Sequence, residues 1–199
     1  MGFLIYGFMV ICFIVLIPPF ITLWIGSEYL IDRASFTLII LNSYLAGQST
    51  VYQTVRVTQG EFFRDKWLSF LQALINLVVS ITAASRYGLI GIYIGTVASR
   101  IFFVVGRPFL TYRFIFDSSV WEYYKRLGLH LGIVLLVGTV TNGICGLILK
   151  DLTLLRFLIA AVVCAACSCL LLCAAVCKTK EFSEILKRIK RIAANIRKK

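Results

Sequence analysis

The stretch "WLSFLQALINLVVSITAASRYGLIGIYIGTVASR" runs from Trp67 to Arg100 and holds two apolar runs joined by "SRYG" at Ser85–Gly88. Each run is close to the length a helix needs to cross a hydrocarbon core of about 30 Å. The connection is short, so the two helices are expected to form an antiparallel hairpin. Gly88, Gly91 and Gly95 follow a three-then-four spacing on one helical face. Such a face lets a neighbouring backbone come close in a membrane, and the preceding helix is the expected neighbour. The second run closes on Arg100, a residue that is costly in lipid unless it faces a bundle interior or water.

The rest of the chain repeats this pattern. Of its 199 residues, 60% are hydrophobic and only 15% charged, against about half and about a quarter in an ordinary soluble domain. The excess is concentrated in six blocks, near 3–25, 36–57, 67–84, 88–109, 128–149 and 154–177. In lipid every backbone N–H and C=O must be paired within the protein, so the blocks must be helices or the strands of a closed barrel. Barrel strands would be about ten residues long and alternate in polarity, which these blocks do not. The sequence therefore predicts an all-α integral membrane domain of six spans over 1–177, followed by a basic tail over 178–199. The first block has no basic flank and is too long for a secretory signal. Its Pro18-Pro19 pair is expected to kink or end the helix.

Charge orients the spans. With six crossings, one side collects Arg56, Arg64 and Lys66, then Arg107, Arg113, Lys125 and Arg126, and finally the lysines and arginines of the tail. The other side holds Arg33, Arg86, Lys150 and Arg156. The positive-inside rule places the rich side, and both termini, in the cytoplasm. In the tail Phe182, Ile185, Leu186, Ile189, Ile192 and Ile196 recur at helical spacing. Lys187, Arg188, Lys190 and Arg191 fill the other faces. This basic amphipathic helix suits the anionic leaflet. Nucleic acid is not an expected partner despite the net charge of +12, because no aromatic stacking platform is interleaved with the charges.

Five of the seven cysteines, Cys164, Cys167, Cys169, Cys173 and Cys177, crowd the last span. A zinc site would need a second pair or histidines at ligand spacing, and the single histidine, His130, is far away in sequence. The cysteines therefore read as small packing residues, and no metal or cofactor is expected. No nucleophile–base spacing or phosphate loop is present, and every Asp and Glu falls in a connection or the tail. The expectation is not an enzyme.

The residues that point to a function are polar and lie at depth. In "FTLIILNSYLAGQSTVYQTVRV", Asn42, Ser49, Gln53 and Arg56 fall on one narrow helical stripe that Gln48 and others widen. Gln72 and Asn76 lie one turn apart on the third helix. Arg100 stands about 18 Å along the axis from Gly88. Such groups either line water or bond between helices in a dry bundle. Guanidinium groups near one mouth suit a phosphate-bearing ligand, because arginine binds phosphate with a planar fork.

Three stretches carry a family resemblance. "PPFITLWIGSEY" at Pro18–Tyr29, the Trp67–Arg100 pair and "YRFIFDSSVWEYYKR" at Tyr112–Arg126 resemble the corresponding parts of bacterial polysaccharide flippases. These are the exporters of O-antigen and teichoic-acid type repeat units in the multidrug/oligosaccharidyl-lipid/polysaccharide superfamily. The resemblance implies a protein of the bacterial cytoplasmic membrane that moves a lipid-diphosphate-linked sugar by alternating access between two lobes. With six spans, this chain looks like the C-terminal part, completed by an N-terminal lobe or a partner subunit. Arg56 and Arg100 would then hold the diphosphate, while Asn42, Gln48, Gln53 and Asn76 would meet sugar hydroxyls. A non-transporting membrane scaffold that works through its lipid-binding tail is the alternative.

Overall fold

The computed structural model describes residues 2–59, 62–113 and 119–177, without the side chains of 51–57, 59, 62–64 and 176. Among the described residues the chain is helical, with no strand. It forms α1 (Gly2–Trp24), a short 3-10 helix (Ser27–Tyr29), α2 (Arg33–Gln59), α3 (Phe62–Tyr87), α4 (Leu89–Thr111), α5 (Trp121–Ile148) and α6 (Leu154–Val176). Among the described residues, five of them, α1, α3, α4, α5 and α6, are long and apolar enough to cross a bilayer. The chain is a multi-pass membrane protein. The helix α2 is not among the five, since Arg33, Asn42, Gln48 and other polar groups among its described residues dilute its hydropathy. The basic tail lies outside the described residues.

The helices α2 and α3 run past both ends of their hydropathic blocks, and α5 begins seven residues before its own, because hydropathy marks the hydrocarbon while helices run on into the interface. The first turns of α5 carry Trp121, Tyr123, Tyr124 and Lys125, side chains with an apolar body and a polar tip that suit that zone. The helix α1 does not end at its prolines but continues through Pro18 and Pro19 to Trp24. Proline removes a donor and crowds the preceding turn. The donors lost are those that would reach the carbonyls of Ile14 and Val15. Beyond the pair the helix resumes, and the Thr22 hydroxyl donates back to the Pro18 carbonyl at 3.0 Å. Asp32 caps the start of α2, its Oδ2 accepting the Ser35 N–H at 2.8 Å. That bond favours the carboxylate and holds the Asp32 pKa below its ordinary value.

In space the helices do not follow chain order. The helix α3 packs along α4, α4 along α2, and α2 along α1, which in turn meets α5 and α6. The buried cluster runs through Phe3, Ile11 and Val15 of α1, Ile40 and Tyr44 of α2, Val134 and Val137 of α5, and Cys164 and Leu172 of α6. Small residues bring these helices close: an added Cβ at Gly47 of α2 would fall on the Tyr6 ring of α1. Large apolar side chains such as Leu136, Leu147, Val162 and Leu170 point outward and are exposed, as a surface facing lipid requires.

Candidate functional site

The hairpin of α3 and α4 sets the site's register. A Cβ added at Gly91 would land on the backbone of Ala83 and Ala84, and one at Gly95 on Ser80. The two glycines thus seat α4 directly against α3. The Ser80 hydroxyl, placed under Gly95, donates to Asn76 Oδ1 at 2.9 Å and lies 3.4 Å from the Ile92 carbonyl oxygen. Asn76 therefore belongs to this seam. Gly88 differs from the other two glycines. It precedes α4 at φ +60°, ψ −132°, a conformation that suits glycine at a tight turn, and a Cβ there would meet nothing within 4 Å. It is a turn residue and not a packing residue.

At the far end of the hairpin the same register brings together Asp65 and Arg107, which stand equally distant along the chain from Arg86. Arg107 donates from Nε to Asp65 Oδ1 at 3.0 Å and from Nη2 to Oδ2 at 2.9 Å. Its guanidinium lies 3.7 Å from the centroid of the Phe103 ring. Only 4% of Arg107 is exposed, so its charge is matched inside the protein. The Tyr124 hydroxyl donates to the Val105 carbonyl at 2.7 Å and ties the start of α5 to this end of α4.

Two turns earlier on α4, Arg100 is arranged differently. Its Nε donates to Asn42 Oδ1 on α2 at 3.1 Å. Among the described residues no carboxylate pairs with it. The structure thus brings together Asn42 and Arg100, which lie 58 residues apart in sequence. At Asn42 the α2 stripe makes a direct interhelical bond. Further along α2 the Ser49 hydroxyl turns back to the Ala46 carbonyl at 2.8 Å. Among the described residues, the buried Tyr44 hydroxyl and Gln48 Nε2 have no partner. The side chains of Gln53 and Arg56 lie outside the described residues, as do Lys187, Arg188, Lys190 and Arg191 of the tail.

A cavity of about 620 Å³ lies elsewhere, between α1, α2 and α5. Its lining includes Arg33 and Asn142 but none of Asn42, Gln48 or Arg100. The sequence reading missed this cavity and the Asp65–Arg107 pair. Hairpin register was the available signal for the pair. The cavity arises from packing between helices distant in sequence and has no local signal. His130 stacks on Phe3, with ring centroids 4.1 Å apart, and joins α5 to α1. Cys145 and Cys164 are fully buried, and the Cys145 thiol lies 3.7 Å from the Ala160 carbonyl oxygen. Among the described residues no three His, Cys, Asp or Glu side chains gather as a metal ligand set.

No protein-family model, curated protein or solved structure matches this chain.

Proposed function

We propose that the chain is the C-terminal part of a transporter that flips lipid-diphosphate-linked oligosaccharide repeat units across the bacterial cytoplasmic membrane. In this reading α2 is a sixth span, both termini are cytoplasmic, and the basic tail rests on the anionic leaflet. An N-terminal lobe or a partner subunit supplies the opposite wall. The supporting observation is the contrast between two arginines on α4. Arg107 is neutralised by Asp65 through a bidentate pair, whereas Arg100 is held through Nε by a neutral carboxamide. Its charge therefore keeps no internal counterpart among the described residues. An uncompensated guanidinium within a membrane bundle marks a ligand or ion pathway. The Nη groups that Asn42 does not use have the fork geometry that fits a phosphate.

Arg56 would be the second cation for the diphosphate. Asn42, Gln48, Gln53 and Asn76 supply carboxamides of the kind that bond to sugar hydroxyls, with the Gln48 Nε2 donor still unspent. The test is surface display of polysaccharide in cells that depend on this protein. Arg100→Gln is expected to abolish display while leaving the protein's membrane level unchanged, and Arg100→Lys to restore only part of it. Full display by the Arg100→Gln protein would end the reading.

A further inference from the structure

The cavity between α1, α2 and α5 is built from two helical faces. Ile14, Ile17, Pro18 and Ile21 line it from α1, and Arg33, Phe36, Thr37 and Ile40 from α2. Both sets are spaced i, i+3, i+4, i+7, so each is one continuous face. At about 620 Å³ the cavity falls within the range of roughly 300–1,000 Å³ common for ligand pockets. Ile14 lies ten residues before Trp24, the last residue of α1. The cavity therefore reaches about 15 Å down from that end of the bundle, near the middle of a hydrocarbon core of about 30 Å.

Its polarity is one-sided. The walls are chiefly isoleucine, with the neutral polar groups Thr37 of α2 and Asn142 of α5 among them, and the one cation of the lining, Arg33, sits at the first residue of α2. Two carboxylates of the same connection, Asp32 and Glu28, carry charges of their own but do not pair with it. Asp32 is engaged by the Ser35 N–H, and among the described residues no ion pair or hydrogen bond joins the Arg33 guanidinium to Asp32 or Glu28. An apolar shaft of half-bilayer depth with a free guanidinium at its mouth is complementary to one molecular shape, a hydrocarbon chain ending in an anionic headgroup. A zwitterionic lipid fits the shaft but adds a cation beside Arg33. A soluble anion fits the mouth but leaves the shaft unfilled.

We propose that this cavity is a specific binding site for an anionic phospholipid of the leaflet next to the α1–α2 connection. One acyl chain lies between α1 and α2, and the phosphate rests on Arg33. The site depends on the chain spanning the membrane and not on the export reading, so either can fail alone.

The experiment is native mass spectrometry of the protein released from nanodiscs of equal parts phosphatidylglycerol and phosphatidylcholine with identical acyl chains. One phosphatidylglycerol is expected to stay bound per chain, in preference to phosphatidylcholine. Arg33→Gln should lower that retention about tenfold, the loss of a charge-assisted bond worth about 1.4 kcal/mol. Ile14→Trp should displace the lipid by filling the shaft, and its partly exposed position spares the core. Arg156→Gln, which removes an exposed cation paired with Asp151, should leave retention unchanged. Equal retention of both lipids would overturn the proposal, as would Arg33→Gln behaving like Arg156→Gln. So would bound lipid surviving Ile14→Trp, or a second copy of the chain taking the lipid's place.

Discussion

At the residue scale, the two arginines of α4 show that depth alone does not assign a role. Both lie in one helix, yet Asp65 neutralises Arg107, while Arg100 leans on a carboxamide. Removing one partner of a buried pair leaves an uncompensated charge, which costs about 3 kcal/mol or more. Asp65→Asn, which orphans the buried guanidinium, is therefore expected to lower stability by about 3 kcal/mol, and Arg107→Gln by less, because Asp65 is 28% exposed. The double variant should lose clearly less than the sum of the two, because it leaves no orphan charge. Unfolding in detergent micelles, read for all four proteins, gives the coupling directly, and additive losses would mean that the pair is not a unit. The sequence placed Arg107 among the cytoplasmic interfacial charges and Asp65 in a connection. It could not pair them because nothing local distinguishes a snorkelling arginine from one that folds back onto a neighbouring helix.

At the element scale, the hairpin of α3 and α4 was the most legible part of the chain. The expected "SRYG" connection shrinks to Gly88 alone, since α3 runs to Tyr87 and α4 starts at Leu89. So short a link leaves an antiparallel neighbour, and the glycine spacing names the face that meets it. The structure divides the labour among those glycines. Gly91 and Gly95 are close-approach positions, where a side chain would collide with backbone, while Gly88 serves the turn. The expected costs therefore differ in cause. Gly91→Leu or Gly95→Leu should separate the two helices and destabilise the hairpin by about 1–3 kcal/mol, the usual range for overpacking. Gly88→Ala should cost about 1–3 kcal/mol from backbone strain alone, with the seam intact. A cysteine pair placed across the seam at Leu68 and Gly106, which lie side by side, would report the difference. Its crosslinking should drop in the leucine variants and persist in Gly88→Ala.

At the scale of the whole molecule, α2 stands apart from the other long helices. Among its described residues Arg33, Asn42, Gln48 and other polar groups keep it out of the set of helices apolar enough to cross by composition. Nevertheless it packs between α1 and α4, two helices of that set. A helix flanked by protein can carry polar groups that lipid would not tolerate, since its neighbours satisfy them, as Arg100 does for Asn42. Reporter fusions placed after Glu28 and after Gln59 are expected to report opposite sides of the membrane. The same side for both would make α2 a surface helix and remove the sixth span. The helix α3 packs along α4 at one edge of the bundle. Its outer face exposes Trp67, Phe70, Leu74, Leu77 and Ile81, a surface suited to lipid or to a second lobe.

The sequence by itself determined that the chain is helical and built for a membrane, because block length and composition are local properties that lipid enforces residue by residue. It also determined the α3–α4 hairpin, because a short connection leaves no other geometry. Only the tertiary structure decided that α2 lies between α1 and α4, that Asn42 holds Arg100, that Asp65 neutralises Arg107, and that Arg33 crowns an apolar shaft. Each depends on helices far apart in the chain, and their mutual placement comes from side-chain packing, which periodicity in one helix does not encode.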